Sequence, residues 1–338
     1  MKMRLAGSIK AALFYSGFFQ LLRVFLPNPR VAILRYHAVV DAKDNYYASP
    51  GICISIKDFE RHVAYFSRRY RIVSIDEIVD SLLTGKALPR NAVAFTFDDG
   101  YADNFYAARI LKKYGATGMF YLTTDCLDRK EPLWLFEVNY LIGQAQQQQL
   151  ELKLEDQVLS LPLRSTEQRE QAKREVIRII KSNDRRVREQ IREQVRSQLR
   201  VDEWQRAADT VMLTWQHVQE MIADRMEVGG HTLSHLNLPN AGEHDAGHEI
   251  AGCRQVLEKR VGHEVRHFSV PNSGPYPYYN ETVKRLVKSA GFVSAVTSAH
   301  GFVDLGSDLL ELRRIRTVPD LHEVVATIEF GKLSNSAK

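Results

Sequence analysis

The feature that most limits what this chain can fold into is a rhythm. Past residue 30, short runs rich in β-branched and aromatic residues alternate with longer amphipathic ones. Strands are expected at 31–36, 71–74, 92–97, 118–123, 226–230, 266–270, 292–297 and 312–317, and helices at 56–69, 75–84, 102–114, 215–223, 243–260, 279–290 and 319–329. Several helix starts are explicit: Ser74 with Glu77 reads as a capping box, and Thr214 stands before an apolar-periodic run as an N-cap. Strands alternating with helices argue for a parallel sheet, open or closed into a barrel. In both forms the reactive side chains gather at the C-terminal ends of the strands.

Residues 127–211 break the rhythm and read as an insertion between two strands of the main domain. Val187, Ile191, Val195 and Leu199 recur every fourth residue there, which makes an amphipathic helix. Between Arg164 and Arg200 twelve Lys/Arg stand against six Asp/Glu, so this one segment carries a surplus of six while the whole chain carries +5. The insertion is expected to be a helical cover near the site or a solvated helical hairpin. A net charge this small gives no ground for nucleic-acid binding, and 44% hydrophobic residues exclude a disordered chain.

The first 29 residues combine early Lys/Arg with an apolar stretch that Gln20 and Arg23 interrupt, leaving an uncharged run short for a bilayer crossing. On a helical wheel Ser16, Gln20 and Arg23 form a narrow polar stripe on an otherwise apolar helix. Residues 1–28 are therefore expected to make a peripheral contact with a membrane interface or to pack on a partner, an uncleaved signal anchor being the alternative. The three cysteines show no CxxC spacing. The cytoplasm, at the inner face of the membrane, is the expected compartment, and export behind an uncleaved anchor the alternative. Residues 331–338 read as a disordered tail.

The run "VAFTFDDGYADN" drives an apolar strand into Asp98 and Asp99. Neighbouring strand residues face opposite ways, so the two acids share a pocket only if the strand stops and the backbone turns, which Gly100 permits. Paired carboxylates repel unless one is protonated or a cation sits beside them. Nitrogen ligands occur in "GGHTLSHLNL", where His231 and His235 follow another strand end. One Asp and two His make the open, three-ligand set of a catalytic zinc site, although cobalt or nickel suits the same donors. His37, beyond the first strand, reads either as a third functional element or as a histidine satisfied by the backbone. His244, His248, His263 and His267 read as structural or surface groups, the last two lacking a matching acid.

"TFDDG" followed by "HTLSH" resembles the first two motifs of the polysaccharide deacetylases with the NodB-type domain, carbohydrate esterase family 4. "HFSVPNSGPY" is similar to the family's third motif, and "ILRYHAVV" to the leading Tyr-His motif of its permuted, exopolysaccharide-associated subgroup. The resemblance implies a distorted (β/α)7 barrel over residues 30–330. It implies Asp98 as general base, Asp99, His231 and His235 as metal ligands, and His37 as general acid. Pro271 and Asn272 would shape the sugar-binding groove. Val270 stands where a Tyr is more usual, and neither the Arg of the third motif nor an Asp-Trp pair in "FVSAVTS" is present. Arg314 is a candidate neighbour of the base. The expected reaction is removal of N-acetyl groups from an exopolysaccharide or surface glycan. Deacylation or deformylation of a polyprenyl-phosphate-linked amino sugar is a second expectation, and a non-catalytic glycan-binding or assembly protein a third.

Overall fold

The computed structural model describes residues 2–128, 133–155, 157–201, 204–272 and 277–333. Seven parallel strands close on themselves: β1 (Ala32–Tyr36), β2 (Ala92–Phe97), β3 (Met119–Leu122), β4 (Glu227–Gly230), β5 (His267–Ser269), β6 (Ser294–His300) and β7 (Leu312–Arg316). The ring runs β1-β7-β6-β5-β4-β3-β2 and is sealed by β1 pairing β2 in register Ala32↔Val93 to Tyr36↔Phe97. A short strand, Arg71–Ile72, pairs in parallel with the start of β2. The ring is uneven, because β5 meets β4 at Phe268↔Gly230 alone and the β6–β7 register shifts between Val296 and His300. This is the distorted (β/α)7 barrel.

Alternation along each strand sorts side chains between barrel and helices. Leu34, Tyr36, Phe95 and Phe97 face outward onto the helix Ile56–Arg69, while Ile33, Ala94, Met119, Tyr121 and Leu312 fill the lower lumen. The helix Ile75–Thr84 closes that lower end by adding Ile75, Ile78 and Val79 to the lumen cluster. The apolar packing of the lower lumen leaves the upper lumen, at the strands' C-terminal ends, for the Asp98 and Asp99 carboxylates and their partners.

The glycines before His231 serve this packing. A Cβ on Gly229 would lie 2.7 Å from the His267 carbonyl oxygen, and one on Gly230 would lie 2.9 Å from the Phe292 ring. They let β4 fit between its neighbours.

The insertion has its own core, in which Ile191, Val195 and Leu199 join Trp134, Val138 and Leu141. It adds an antiparallel hairpin, Gln149–Lys153 with Val158–Pro162, whose alternate leucines Leu150, Leu152 and Leu161 enter the same core.

The amino terminus departs from expectation. It forms two helices, Lys2–Tyr15 and Phe18–Phe25, broken at Gly17 with φ 78°. No helix among the described residues is long and apolar enough to cross a membrane. Of the three residues of the polar stripe Arg23 alone turns inward, while Ser16 and Gln20 are exposed. Arg23 is buried, with Nε 3.3 Å from Glu329 and its guanidinium 4.1 Å from the centre of the Tyr70 ring, while Leu21, Val24 and Phe25 are exposed. A wheel assigns polar residues to water, but a buried carboxylate on the last helix, Leu321–Gly331, outweighs that preference. That helix takes in Gly331; residues 334–338 of the expected tail lie outside the described residues.

Candidate active site

β2 stops at Phe97, and the backbone turns at once. Asp98 N–H still donates to the Tyr36 carbonyl at 3.1 Å, but Asp99 and Gly100 both adopt left-handed conformations, with φ 78° and 84°. The turn thus begins one residue before the glycine, at an acid that bears the strain itself. Asp98 and Asp99 are both buried.

Asp98 is gripped by Arg314, which rises from β7 on the lumen face. Arg314 Nη1 donates to Oδ1 at 2.8 Å and Nη2 to Oδ2 at 2.7 Å, while Ser269 Oγ donates to Oδ1 at 3.1 Å. Arg314 is itself fixed by Nε donating to the Thr297 carbonyl at 2.9 Å. Burial alone would raise the Asp98 pKa, but the Arg314 charge, with His231, outweighs it and holds the carboxyl well below the usual range. Asp98 is therefore ionised throughout the neutral range.

Asp99 Oδ1 lies 3.3 Å from Nε2 of His231 and 3.3 Å from Nε2 of His235, and it has no hydrogen-bond partner among the described residues. Thr232 and His235 have φ of 68° and 56°, so this loop is also held in left-handed conformations that aim both rings at the acid. His231 Nδ1 donates to the Ser269 carbonyl at 2.7 Å, which fixes the tautomer and turns the Nε2 lone pair toward Asp99. Donor atoms bound at 2.0–2.1 Å around a tetrahedral ion stand about 3.3–3.4 Å apart. The spacing, the unpartnered oxygen and the N/N/O donors all fit a divalent cation.

His37 follows β1, with Nε2 3.7 Å from Asp98 Oδ2. Its carbonyl accepts from Asn104 Nδ2 at 2.8 Å, and its ring makes no hydrogen bond among the described residues. Burial pushes its pKa down to about 4 despite the Asp99 and Asp98 charges, so the ring is neutral at rest. These five residues line one cavity of about 410 Å³. Asn272 lines it too, with φ 74° and both side-chain polar atoms unpartnered among the described residues, whereas Pro271 is buried and does not line the cavity. Ser273 to Tyr276, the rest of that motif, lie outside the described residues.

The insertion reaches this cavity through Ile177 and Lys181 and holds the histidine loop from outside. Trp134 Nε1 donates to the His235 carbonyl at 3.0 Å, and Arg188 donates to the Ser234 carbonyl at 3.1 Å and to its hydroxyl at 3.0 Å. It is no solvated hairpin. Charge pattern alone could not decide this, because the buried arginines look in sequence like the exposed ones.

His267 has an acid after all. At the opposite end of the barrel its Nε2 meets Asp76 at 2.9 Å, beside Glu227. That trio could geometrically hold a metal, but its atoms are already used. Glu227 accepts from the N–H groups of Ile75 and Asp76 at 2.9 and 3.0 Å, and Arg266 pairs with Asp76. It ties a helix start to the barrel floor.

The sequence profile described as polysaccharide deacetylase matches residues 85–295. The chain belongs to the polysaccharide deacetylase family. A member of this family is a hydrolase of amide bonds, so the non-catalytic alternative falls away. Similar solved structures agree on the fold. The Streptococcus pyogenes deacetylase PplD in complex with acetate aligns with TM-score 0.57 and 18% identity over 87% of this chain and 94% of that one. IcaB from Ammonifex degensii aligns with TM-score 0.56 and 19% identity over 89% and 97%. Among curated protein sequences no relative matches this chain.

Proposed function

We propose that this polysaccharide deacetylase removes N-acetyl groups from amino sugars of an exopolysaccharide or surface glycan in a divalent-metal-dependent hydrolysis. One observation carries the reading: a buried, unpartnered carboxylate oxygen 3.3 Å from two imidazole nitrogens, beside a second carboxylate kept ionised. Asp99, His231 and His235 would hold the ion, and zinc suits the donors best. When bound, such an ion supplies Lewis-acid polarisation of the acetyl carbonyl and a water of lowered pKa.

The chain's own residues supply the proton traffic. Asp98 takes the proton of the attacking water, and the Arg314 fork keeps its carboxylate aimed and charged while it waits. The sugar nitrogen leaves only if protonated. His37 is neutral at rest, but its Nε2 is 3.7 Å from Asp98 Oδ2, close enough for the captured proton to pass to it and on to the amine. His37 thus becomes an acid only after the water has been activated. Acetate and a free amino sugar are the products. The test is acetate release from a panel of N-acetylated oligosaccharides before and after chelation. Release that depends on restored metal supports the reading, and release that survives full stripping contradicts it.

A further inference from the structure

The cavity is more positive than hydrolysis of a neutral amide requires. Its lining contains two carboxylates, Asp98 and Asp99. Asp98 is neutralised by Arg314, and Asp99 faces the two imidazoles. Arg35, Lys181 and Arg316 line the same cavity.

Arg35 is the informative one. It alternates with Ile33 on β1 and so faces the upper lumen, and its register partner across the strand pair is Arg316 of β7. Arg314 lies one layer below on that same face. Like charges directly opposite on neighbouring strands destabilise a sheet. The Arg35 guanidinium makes no hydrogen bond or ion pair among the described residues, and the stretch Ser273 to Tyr276 offers no carboxylate. The Arg316 guanidinium donates to the Gly51 carbonyl, at 2.8 Å, and to no carboxylate among the described residues. Burial and the neighbouring guanidinium of Arg314 push the Arg35 pKa down to about 10. A half-buried guanidinium between two others, with only the Arg314-paired carboxylate of Asp98 to attract it and no carboxylate of its own among the described residues, costs stability without an evident structural return. Costs of this kind persist where a ligand recovers them.

We infer that Arg35 and Arg316 bind an oxyanion carried by the substrate, a carboxylate or phosphate near the N-acetylated sugar. Guanidinium forks recognise either group bidentately, so the geometry fixes the chemistry and leaves its source to experiment. A carboxylate implies an acidic glycan, and a phosphate implies a phosphorylated or lipid-phosphate-linked amino sugar. The inference rests on the deacetylase reading, which places the sugar in this cavity.

The test measures calorimetric binding of three probes to metal-loaded protein: N-acetylglucosamine, N-acetylmuramic acid and N-acetylglucosamine 1-phosphate. At least one charged probe is expected to bind ten-fold or more tighter than the neutral sugar. Arg35→Gln and Arg316→Gln should each reduce that preference at least five-fold, and raised salt should weaken the charged probe alone. Arg316 is exposed at the rim, so its variant keeps the test valid if Arg35→Gln folds poorly. Equal binding of all three probes, or a preference that survives both substitutions, overturns the inference. Acetate release by the wild type, scored separately, tells this failure from failure of the deacetylase reading.

Discussion

Replacing Arg314 by Met removes two charge-assisted hydrogen bonds, at 2.8 and 2.7 Å, from a carboxylate that is 3% exposed. Breaking a buried pair from one side costs about 3–5 kcal/mol, because the survivor stays charged and unsolvated. Asp98→Asn is milder, about 1–3 kcal/mol, since the amide oxygen still accepts while the guanidinium keeps the Thr297 carbonyl. With both changes neither charge remains, so the double variant should be about 2 kcal/mol or more better than the sum of the singles. Urea unfolding of metal-free protein at pH 7 measures all four corners, and an unchanged urea slope checks that the unfolded state is the same. Additivity within about 0.5 kcal/mol would refute the claim that Arg314 acts on Asp98 directly. Metal-loaded Arg314→Met should also lose about 100-fold in kcat, the cost of a misaimed catalytic group.

Asp103 offers a pH test on a carboxyl that is not itself a metal ligand, although the Asp99 charge helps raise its pKa. It is buried, accepts from Tyr47 and from the Val39 N–H at 2.9 Å, and burial pushes its pKa up to about 6. Its unfolded value is about 3.9, so the neutral acid favours the fold: stability is full below about pH 4 and falls by about 3 kcal/mol as pH rises through 6. Asp103→Asn should abolish that loss in urea midpoints taken across pH 4–7, and identical profiles would contradict it. In the insertion, Glu137 is fully buried and accepts from Arg192 at 3.0 and 2.7 Å and from Arg196. Glu137→Leu removes the buried acceptor that Arg192 and Arg196 share, so amide exchange over Arg185–Leu199 should quicken by at least ten-fold with the barrel strands unchanged. Equal acceleration in both places would show that the insertion has no separate core.

Much of the scaffold was legible because local signals agreed with tertiary demands. Helices Ile56–Arg69, Ile75–Thr84 and Trp215–Ala223 match their expected spans to the residue, each with an N-cap whose side chain accepts a backbone N–H. β2 was legible to the residue as well, since an apolar run that stops at two acids marks its own end. What escaped depends on partners far away in sequence. Asp76 reaches His267 across 191 positions, and Arg23 turns inward to meet Glu329. Arg314 was visible only as a candidate, because its grip on Asp98 depends on which face of β7 looks into the lumen. Arg35 passed unnoticed for the same reason: opposed arginines appear only once the β1–β7 register is known. The left-handed backbone at Asp99, Thr232 and His235 had no sequence signal either, since none is glycine.

Separating metal binding from chemistry tests the central claim most directly. Metal content and acetate release should be measured side by side on the wild type, Asp98→Asn and His231→Ala. One divalent ion per chain is expected in the wild type and in Asp98→Asn, with acetate released by the wild type alone, while His231→Ala should lose both. Undiminished acetate release by Asp98→Asn, or by metal-free His231→Ala, would contradict the assignment.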